Sequence, residues 1–289
     1  MSNFVNAKHM LDKALEKGYA VAHINLNNLE WIKSILEAAQ ASNTPVIIGV
    51  SEGAVKYNCG YKNVADMVKN SMEFLKVTVD VCLHLDHGSY EGCKQAIAAG
   101  FTSVMFDGSH ETIEENIKKT SEIVELAHKF NISVEGEVGG IGGTEDSTTS
   151  LGEIADVAQC QQLVSTGIDC LAAGIGNIHG VYPQNWKGLD FQVLAKIHQI
   201  LPTTPLVLHG GSGIDEEQIR KAISLGIAKI NVNTECQIAF ANAIAEYCQN
   251  KKHLNDKGYD PRKLLKVGCD VIKEVCVTKF KLFGSFGKN

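Results

Sequence analysis

Three histidines stand where short apolar, β-branched segments of the sequence end. His87 ends one such segment, His179 lies a few residues beyond a second, and His209 ends a third. A single histidine at the end of a strand is more often an ordinary hydrogen-bonded residue. Three of them suit a catalytic zinc site, in which three protein ligands bind the ion and a further position stays open for substrate. The histidines therefore predict a metal site, on the condition that the three segments end at one place.

Acidic residues follow the same pattern. Asp86 directly precedes the first of these histidines, and Asp107 ends the next apolar segment. Glu135 and Glu137 are two residues apart in a β-branched segment, so their side chains share one face of a strand. Two carboxylates directed into one interior require a cation nearby. His84 is expected deeper in that interior, beside Asp86, as a structural residue. No role is assigned to the remaining histidines, which are His9, His23, His110, His128, His198 and His253.

A glycine-rich segment follows the acidic strand. Residues 139–152 contain five glycines around Glu145. A flexible loop at the rim of a site can close over a substrate and bring in a carboxylate, so Glu145 is a candidate acid/base residue. A solvated surface loop is the alternative interpretation of the same composition.

Two later turns are suited to binding phosphate. One is His209-Gly-Gly-Ser-Gly213, and the other is Asn231-Val-Asn-Thr234. Such loops in parallel barrels hold an oxyanion with backbone N–H groups and a helix N-terminus. A tight turn that needs a positive φ would explain Gly211 or Gly213 without any ligand. Arg262 is the candidate for a second phosphate because a guanidinium binds phosphate in a bidentate manner, although a surface salt bridge explains it equally well.

The elements that must bring these residues together alternate along the chain. Eight apolar, β-branched segments are each followed by a helical pattern, which is typical of a parallel sheet. Eight such units favour a closed (β/α)8 barrel, in which functional residues lie at the carboxyl ends of the strands. A doubly wound open sheet is the main alternative, but its Gly-x-Gly-x-x-Gly turn is missing after the first strand. The predicted strands are residues 20–25, 46–51, 79–86, 103–107, 132–138, 170–174, 206–210 and 229–233.

No shift of composition divides the chain. Residues 1–289 are therefore predicted to form one α/β domain, a TIM barrel with an extra C-terminal helix. The glycine-rich tail, residues 283–289, is expected to be mobile.

The composition excludes several classes of protein. With 44% apolar and 21% charged residues the chain is typical of globular proteins, and it lacks the run of about eighteen apolar residues that predicts a membrane span. A net charge of −6 without a basic run argues against nucleic-acid and membrane partners. Nine cysteines without a Cys-x-x-Cys pair, together with a start that lacks an export signal, predict a cytoplasmic protein with reduced thiols.

Over essentially its whole length the sequence resembles the class II, metal-dependent fructose-bisphosphate aldolases. Two long motifs carry the resemblance, Val81-Cys-Leu-His-Leu-Asp-His-Gly88 and Val134-Glu-Gly-Glu-Val-Gly-Gly-Ile-Gly-Gly-Thr-Glu145. Shorter similar segments are residues 25–30, 50–54, 103–107, 206–213, 229–235 and 259–262. The resemblance implies reversible aldol cleavage of fructose 1,6-bisphosphate to dihydroxyacetone phosphate and glyceraldehyde 3-phosphate, in glycolysis and gluconeogenesis.

The resemblance also implies a metal centre. By position, His87, His179 and His209 resemble the ligands of the catalytic Zn²⁺, while Asp107 and Glu137 resemble a second divalent position. Zinc, cobalt and iron all accept three imidazoles, so the native metal stays open, as does help from a monovalent cation. Cleavage between C3 and C4 leaves an enediolate, whose charge a divalent ion can stabilise as a Lewis acid.

The remaining roles follow from the same matches. Asp86 resembles the residue that exchanges a proton with the C4 hydroxyl, and Glu145 resembles the loop carboxylate that takes the proton from the carbon next to the ketone. Asn25 is similar to a group that polarises a substrate oxygen. Ser51 and Arg262 resemble the aldehyde-phosphate end of the pocket, with Arg262 reaching across from a neighbouring subunit of a homodimer or homotetramer. Residues that resemble the dihydroxyacetone-phosphate end are Gly180, Gly210, Gly211, Ser212, Asn231, Val232, Asn233 and Thr234.

Several alternatives stay open at this point. Asn233 favours the fructose branch over the sister enzymes that cleave tagatose 1,6-bisphosphate, which more often have alanine there. Two alternatives belong to other functional classes. One is a sugar-phosphate binding protein without catalytic activity, and the other is a metal-dependent epimerase. A Schiff base is rejected because Lys229, placed at the start of the eighth predicted strand, would lie at the wrong end of the barrel. Pro183 stands where the family often has a phosphate-binding lysine, and whether Lys187 replaces it is open.

Overall fold

Parallel strands form a closed barrel in this computed structural model, which describes residues 3–145 and 148–289, with the backbone alone for residues 144, 145 and 148–150. The strands are β1 (Val21–Asn25), β2 (Val46–Ser51), β3 (Val81–Gly88), β4 (Ser103–Phe106), β5 (Ser133–Val138), β6 (Gly142–Glu145), β7 (Thr148–Ser150), β8 (Cys170–Ala173), β9 (Ile178–His179), β10 (Leu206–Leu208) and β11 (Ile227–Val232). Within the described residues the barrel order is β1, β2, β3, β4, β5, β8, β10 and β11, and β11 pairs with β1. The predicted (β/α)8 barrel is confirmed.

Helices follow the barrel strands and cover them from outside. Their bounds are α1 (Lys8–Lys17), α2 (Leu29–Ala41), α3 (Glu52–Tyr57), α4 (Tyr61–Phe74), α5 (Tyr90–Ala99), α6 (Ile113–His128), α7 (Val157–Val164), α8 (Phe191–Ile200), α9 (Glu216–Ser224), α10 (Thr234–Gln249), α11 (Pro261–Leu264) and α12 (Lys266–Leu282). Asn28, Ser51 and Ser89 cap the helices after β1, β2 and β3 with their side-chain oxygens. Because each cap lies near the end of a strand, these helices start close to the barrel mouth. None of the helices in the described part of the chain is long and apolar enough to cross a bilayer.

The barrel interior changes from apolar to charged along its axis. At the amino ends of the strands, side chains from the barrel and from α1 form an apolar cluster that includes Val21, Ile47, Cys82, Val207, Met10 and Leu11. Helix α1 thus closes this end. Above the cluster, His23, His84, Glu135 and Lys229 are buried in the lumen. The polar residues therefore lie between an apolar floor and the open carboxyl end.

Two predicted strand bounds were wrong by two residues in a way that matters for the site. β3 extends from Val81 to Gly88, so it includes His87 instead of ending before it. β11 begins at Ile227, so Lys229 is inside the strand and not at its start. Alternation along β11 then places the Lys229 side chain in the lumen, with Asn231 one step closer to the mouth.

The C-terminal tail is not the mobile segment that its glycines suggested. Phe283 is buried, with 1% of its surface exposed. The backbone N–H of Gly287 donates to the carbonyl of Ser42, and that of Asn289 donates to the carbonyl of Asn43. Sequence composition could not reveal these contacts, because their partners lie more than 200 positions away in the chain.

Candidate metal centre

Three imidazoles meet at the carboxyl end of the barrel. His87 lies in β3, His179 in β9, and His209 directly after β10. One ring nitrogen from each lies within 4.8 Å of the others. The ring centroids are 4.6 Å apart for His87 and His209, 4.9 Å for His87 and His179, and 5.8 Å for His179 and His209. Ligands of a tetrahedral zinc ion are about 3.3 Å apart, so small rotamer changes suffice for the three rings to share one ion.

Backbone strain and a carboxylate orient His87. Its φ of 47° lies in the left-handed region, which is unfavourable for a residue with a side chain. Nδ1 lies 2.7 Å from Oδ2 of Asp107, at the end of β4. Such a carboxylate fixes the ring of a metal-bound histidine. The other nitrogen, Nε2, is buried and makes no hydrogen bond to any described residue. Among the described residues this nitrogen therefore has no hydrogen-bond partner, which leaves it able to bind a metal ion.

The electrostatics of His87 favour a positive charge at this place. Burial lowers the pKa of this imidazole, but the hydrogen bond to Asp107 and the charges of Asp86 and Glu137 outweigh burial and raise the pKa to about 10. A positive charge on this ring is therefore favoured among these carboxylates. A divalent ion would provide that positive charge instead, and the proton would leave because a metal ligand must be a neutral imidazole.

A buried ion pair positions His209. Its Nε2 lies 2.9 Å from Oε1 of Glu135, and Oε2 of Glu135 lies 2.7 Å from Nζ of Lys229. Burial disfavours the Glu135 carboxylate, but Lys229 and the hydrogen bond with His209 hold its pKa well below the usual value. Nδ1 of His209, the ring nitrogen that does not contact Glu135, lies 3.3 Å from Nδ2 of Asn231. Lys229 is thus a counter-ion for Glu135, which the sequence analysis missed because it placed this lysine at the strand start.

The glycine-rich segment after β5 positions His179. Strand β6 pairs with β7 as a hairpin and with β9 in parallel, and Gly143 is opposite His179 in that pairing. A Cβ atom on Gly143 would lie 2.1 Å from the carbonyl oxygen of His179, so only glycine fits there. Burial, followed by the charges of His87 and His209, lowers the pKa of His179 to about 3. A ring held neutral in this way is ready to bind a metal.

Asp86 lies beside the three imidazoles and is held by two amides. Nδ2 of Asn25 donates to its Oδ2 at 3.0 Å, and Nδ2 of Asn231 donates to its Oδ1 at 3.2 Å. Burial favours the neutral acid, but the facing imidazoles of His23 and His87 and the ammonium of Lys229 hold the pKa of Asp86 well below its usual range. The carboxylate is therefore ionised and can accept a proton from a bound molecule.

No role was predicted for His23, yet the structure places it directly below Asp86. Its Nε2 lies 3.7 Å from Oδ2 of Asp86. A Cβ atom on Gly49 would lie 1.6 Å from the same nitrogen, so Gly49 leaves the space that the ring occupies. The signal was present in the sequence, because His23 and Asn25 share one face of β1.

Asp107 and Glu137 form a second group with His87. Their ligand atoms lie within 4.8 Å of one another. Burial and the neighbouring Asp107 raise the pKa of Glu137 well above its usual value. Its Oε2 is buried without a hydrogen bond among the described residues. A divalent ion beside these two carboxyl groups would offset the repulsion between them, so this is a second place where such an ion would be favoured.

The residues expected to bind phosphate surround a small opening above Asp86. Gly180, Gly210, Ser212 and Asn233 line it, together with Asn25, Asp86, His179, Asn231 and Thr234. Helix α10 begins here without a hydrogen bond from the side chain of its N-cap residue Asn233, and the N–H of Glu235 in its first turn donates to Oγ of Ser212. Two of the predicted residues are less suited. The N–H of Gly211 already donates to the carbonyl of Asn231, and Val232 has its side chain in the core outside the lumen.

A neighbouring cavity of about 700 Å³ shares Asn25, Asn233 and Thr234 with this opening, and Ser51 lies in its wall. Arg262 does not reach either cavity in this chain. It is 90% exposed and forms a bidentate pair with Asp260. That contact is the surface salt bridge that the sequence left as an alternative.

Two further predicted residues remain apart from the imidazoles. Lys187 lines a different cavity together with Pro183 and Trp186, and it is not among the residues that surround the opening above Asp86. The backbone of Glu145 ends β6, but its side chain lies outside the described part of the chain, as do residues 146 and 147.

The donor set fits a divalent ion. It combines three imidazoles, of which His87 has an Nε2 without a hydrogen bond to any described residue, and carboxylates that orient the rings or add negative charge. Nitrogen ligands with carboxylates behind them are typical of zinc and related metals.

Comparison with known proteins agrees with this site. The profile of the family described as "Fructose-bisphosphate aldolase class-II" matches residues 5–288. The fructose-bisphosphate aldolase of Ureaplasma parvum is 55% identical over 100% of this chain and 99% of its own length. That of Mycoplasma pneumoniae is 54% identical over 98% and 99%. The crystal structure of the YdjI aldolase from Escherichia coli K12 superposes with a TM-score of 0.84 at 35% identity, covering 99% of each chain. The chain therefore belongs to the class II fructose-bisphosphate aldolase family.

Proposed function

We propose that this enzyme cleaves fructose 1,6-bisphosphate reversibly to dihydroxyacetone phosphate and glyceraldehyde 3-phosphate, with Zn²⁺ at the three histidines. The observation that carries the proposal is the convergence of His87, His179 and His209 beside an ionised Asp86. Relatives with at least half of their residues identical to this chain have the name fructose-bisphosphate aldolase, which supports the substrate. A cytoplasmic homo-oligomer is part of the same proposal.

The metal contributes the chemistry that side chains lack. A divalent ion at the three imidazoles supplies Lewis-acid stabilisation of negative charge on the ketose oxygens. His87 and His209 keep their orientation through Asp107 and Glu135. Asp107 and Glu137 are proposed as a second position for a divalent ion, which shares His87.

Asp86 is the proposed base for the C4 hydroxyl. Its low pKa keeps it ionised at neutral pH, and the amides of Asn25 and Asn231 fix its two oxygens. When the C3–C4 bond breaks, the hydroxyl proton moves to this carboxylate and the C4 oxygen becomes the carbonyl of the aldehyde product. In the reverse direction Glu145 is proposed to take the proton from the carbon next to the ketone.

The phosphate groups are proposed to bind at the two cavities of the mouth. Gly180, Gly210 and Ser212, with the N-terminus of α10, would hold the dihydroxyacetone-phosphate end. Ser51 would hold the aldehyde phosphate, with Arg262 contributed by a second subunit. The position of Arg262 is compatible with this arrangement, because its side chain is 90% exposed and lines neither cavity of its own chain.

The deciding experiment measures triose-phosphate release from fructose and tagatose 1,6-bisphosphates, with and without a chelator. The proposal predicts turnover of the fructose compound that stops with chelator and returns with Zn²⁺. Release that resists chelator, or substrate trapped by borohydride, would contradict the metal mechanism. Preference for the tagatose compound would assign the sister activity. Binding without release would indicate a non-catalytic protein, and C4 inversion without release would indicate an epimerase.

A further inference from the structure

One tyrosine hydroxyl joins the two loops that carry His179 and His209. The hydroxyl of Tyr182 donates to the carbonyl of Gly210 at 2.9 Å and accepts from the N–H of Ile178 at 3.1 Å. Ile178 directly precedes one histidine, and Gly210 directly follows the other. The two hydrogen bonds therefore connect the immediate neighbours of two predicted metal ligands.

The ring of Tyr182 is itself held in place. It packs against Trp186 with centroids 4.2 Å apart, and Nε1 of Trp186 donates to the carbonyl of Gly176 at 2.7 Å. Burial raises the pKa of Tyr182, so the hydroxyl keeps its proton and remains a donor. A fixed donor is required for the contact with Gly210 to set a distance.

The two loops touch closely at the same point. A Cβ atom on Gly210 would lie 2.0 Å from the carbonyl oxygen of Ile178. Asn177 forms a second connection, since its Nδ2 donates to the carbonyl of His209 at 3.0 Å and its Oδ1 accepts from the N–H of Ile175 at 2.9 Å. The spacing of the loops is thus set by contacts that use neither a metal nor a substrate.

We propose that Tyr182 is a positioning residue that keeps His179 and His209 at the spacing of one metal ion and holds residues 210–213 in register for an oxyanion. The metal part stands on the chain's own contacts. The oxyanion part rests on the proposed function.

The two parts are linked by simple thermodynamics. We assume that the metal and the oxyanion both bind only when the two loops have this spacing. Each apparent dissociation constant then equals the intrinsic constant divided by the fraction of molecules in which the loops have it. Removal of the hydroxyl breaks two hydrogen bonds and lowers that fraction by about tenfold. Both apparent affinities should then fall by the same factor.

The test is the Tyr182→Phe variant of the full chain, which keeps the ring on Trp186. Zinc affinity is measured by competition with a chromophoric chelator, and inorganic phosphate affinity of the zinc-loaded protein by calorimetry. The matched control is Tyr247→Phe, because the Tyr247 hydroxyl also donates to a backbone carbonyl, that of Gly258, outside the site. We expect zinc affinity about tenfold weaker for Tyr182→Phe, a similar factor for phosphate, and a change below twofold in zinc affinity for Tyr247→Phe.

A lower thermal midpoint with unchanged zinc affinity would overturn the proposal, because the hydroxyl would then serve stability alone. Equal losses of zinc affinity in both variants would overturn it as well. Weaker zinc binding with unchanged phosphate binding would overturn the oxyanion part only. If Tyr182→Phe fails to fold, Asn177→Ala tests the same spacing through the second connection, and unchanged zinc affinity there would contradict the proposal. Because zinc affinity is measured without a sugar, an error in the proposed substrate would leave this result intact.

Discussion

Asp86 is the residue on which the proposed proton transfer depends. It is ionised, buried and fixed by two amides. For Asp86→Ala we expect kcat to fall by about 10² to 10⁴, the range for a positioned acid/base group. The three imidazoles do not need this carboxylate as a ligand, so zinc content should be retained. Steady-state kinetics and metal analysis measure both quantities, with Asp12→Ala as a control, because Asp12 is a partly exposed carboxylate on α1 that pairs with Lys8. Turnover near that of the unchanged enzyme would show that Asp86 is not the base for the C4 hydroxyl.

Lys229 stabilises the buried carboxylate that holds His209. Lys229→Met leaves Glu135 charged in the barrel lumen without its cation, and breaking a buried ion pair costs about 3–5 kcal/mol. Denaturant unfolding should therefore show a large loss in the free energy of unfolding. Lys266→Met is the control, because Lys266 pairs with Asp270 at the surface and such pairs contribute little. Similar losses in the two variants would show that the buried pair of Glu135 and Lys229 contributes no more to stability than a surface pair.

The sequence was sufficient to predict which residues belong to the site, but not which side chains they contact. His87, His179, His209 and Asp86 stood out because polar residues at the ends of apolar segments are unusual. The pairing of Glu135 with Lys229 depends on how β5 and β11 face each other across the barrel, and strand alternation alone does not give that distance. Contacts of this kind become visible only when the barrel closes.

The loops that face the opening depend on glycine for close approach, and one pair of glycines tests this. Gly210 and Gly213 have φ of 66° and 82°, so an alanine is strained at either position. A Cβ atom on Gly210 meets the Ile178 carbonyl at 2.0 Å, whereas on Gly213 the nearest atom is 3.8 Å away. We expect the KM for the bisphosphate to be at least tenfold higher in Gly210→Ala than in Gly213→Ala. This factor corresponds to a difference of about 1–2 kcal/mol in the free energy of substrate binding. Equal KM values would show that backbone strain, and not loop contact, matters.

Element types and order followed directly from the sequence pattern, while some element ends did not. Alternation of apolar segments with helical patterns predicted every barrel strand, because a parallel strand buried on both faces leaves a continuous apolar signature. The β6–β7 hairpin and the short β9 were missed, since glycine-rich segments have no such signature. These small strands nevertheless position His179.

The whole molecule should gain stability from its metal. A ligand that binds only the folded state stabilises it by about 4 kcal/mol at a thousandfold excess over its Kd. We expect the thermal midpoint to fall when a chelator removes the ion and to recover with Zn²⁺, as followed by calorimetry at constant pH. The variant His87→Ala, which lacks one proposed ligand, should show little of this shift. A thermal midpoint that changes with neither chelator nor zinc would argue against an ion tightly bound to the folded protein.

At the scale of the complete chain, the anchored C-terminus and the apolar floor under the barrel were beyond sequence reasoning. Phe283 fills the core although it belongs to a segment whose glycines suggested a free end. Helix α1 closes the amino end of the barrel, and its amphipathic pattern alone did not say what it would cover. Both features depend on contacts between distant parts of the chain.

Anomalous diffraction from crystals of the zinc-loaded enzyme is the most direct test of the central claim. We predict a strong zinc peak at the barrel mouth, about 2.0–2.1 Å from one nitrogen each of His87, His179 and His209. A peak held by His23, His84 and Asp86 deeper in the lumen, with none at the mouth, would contradict it.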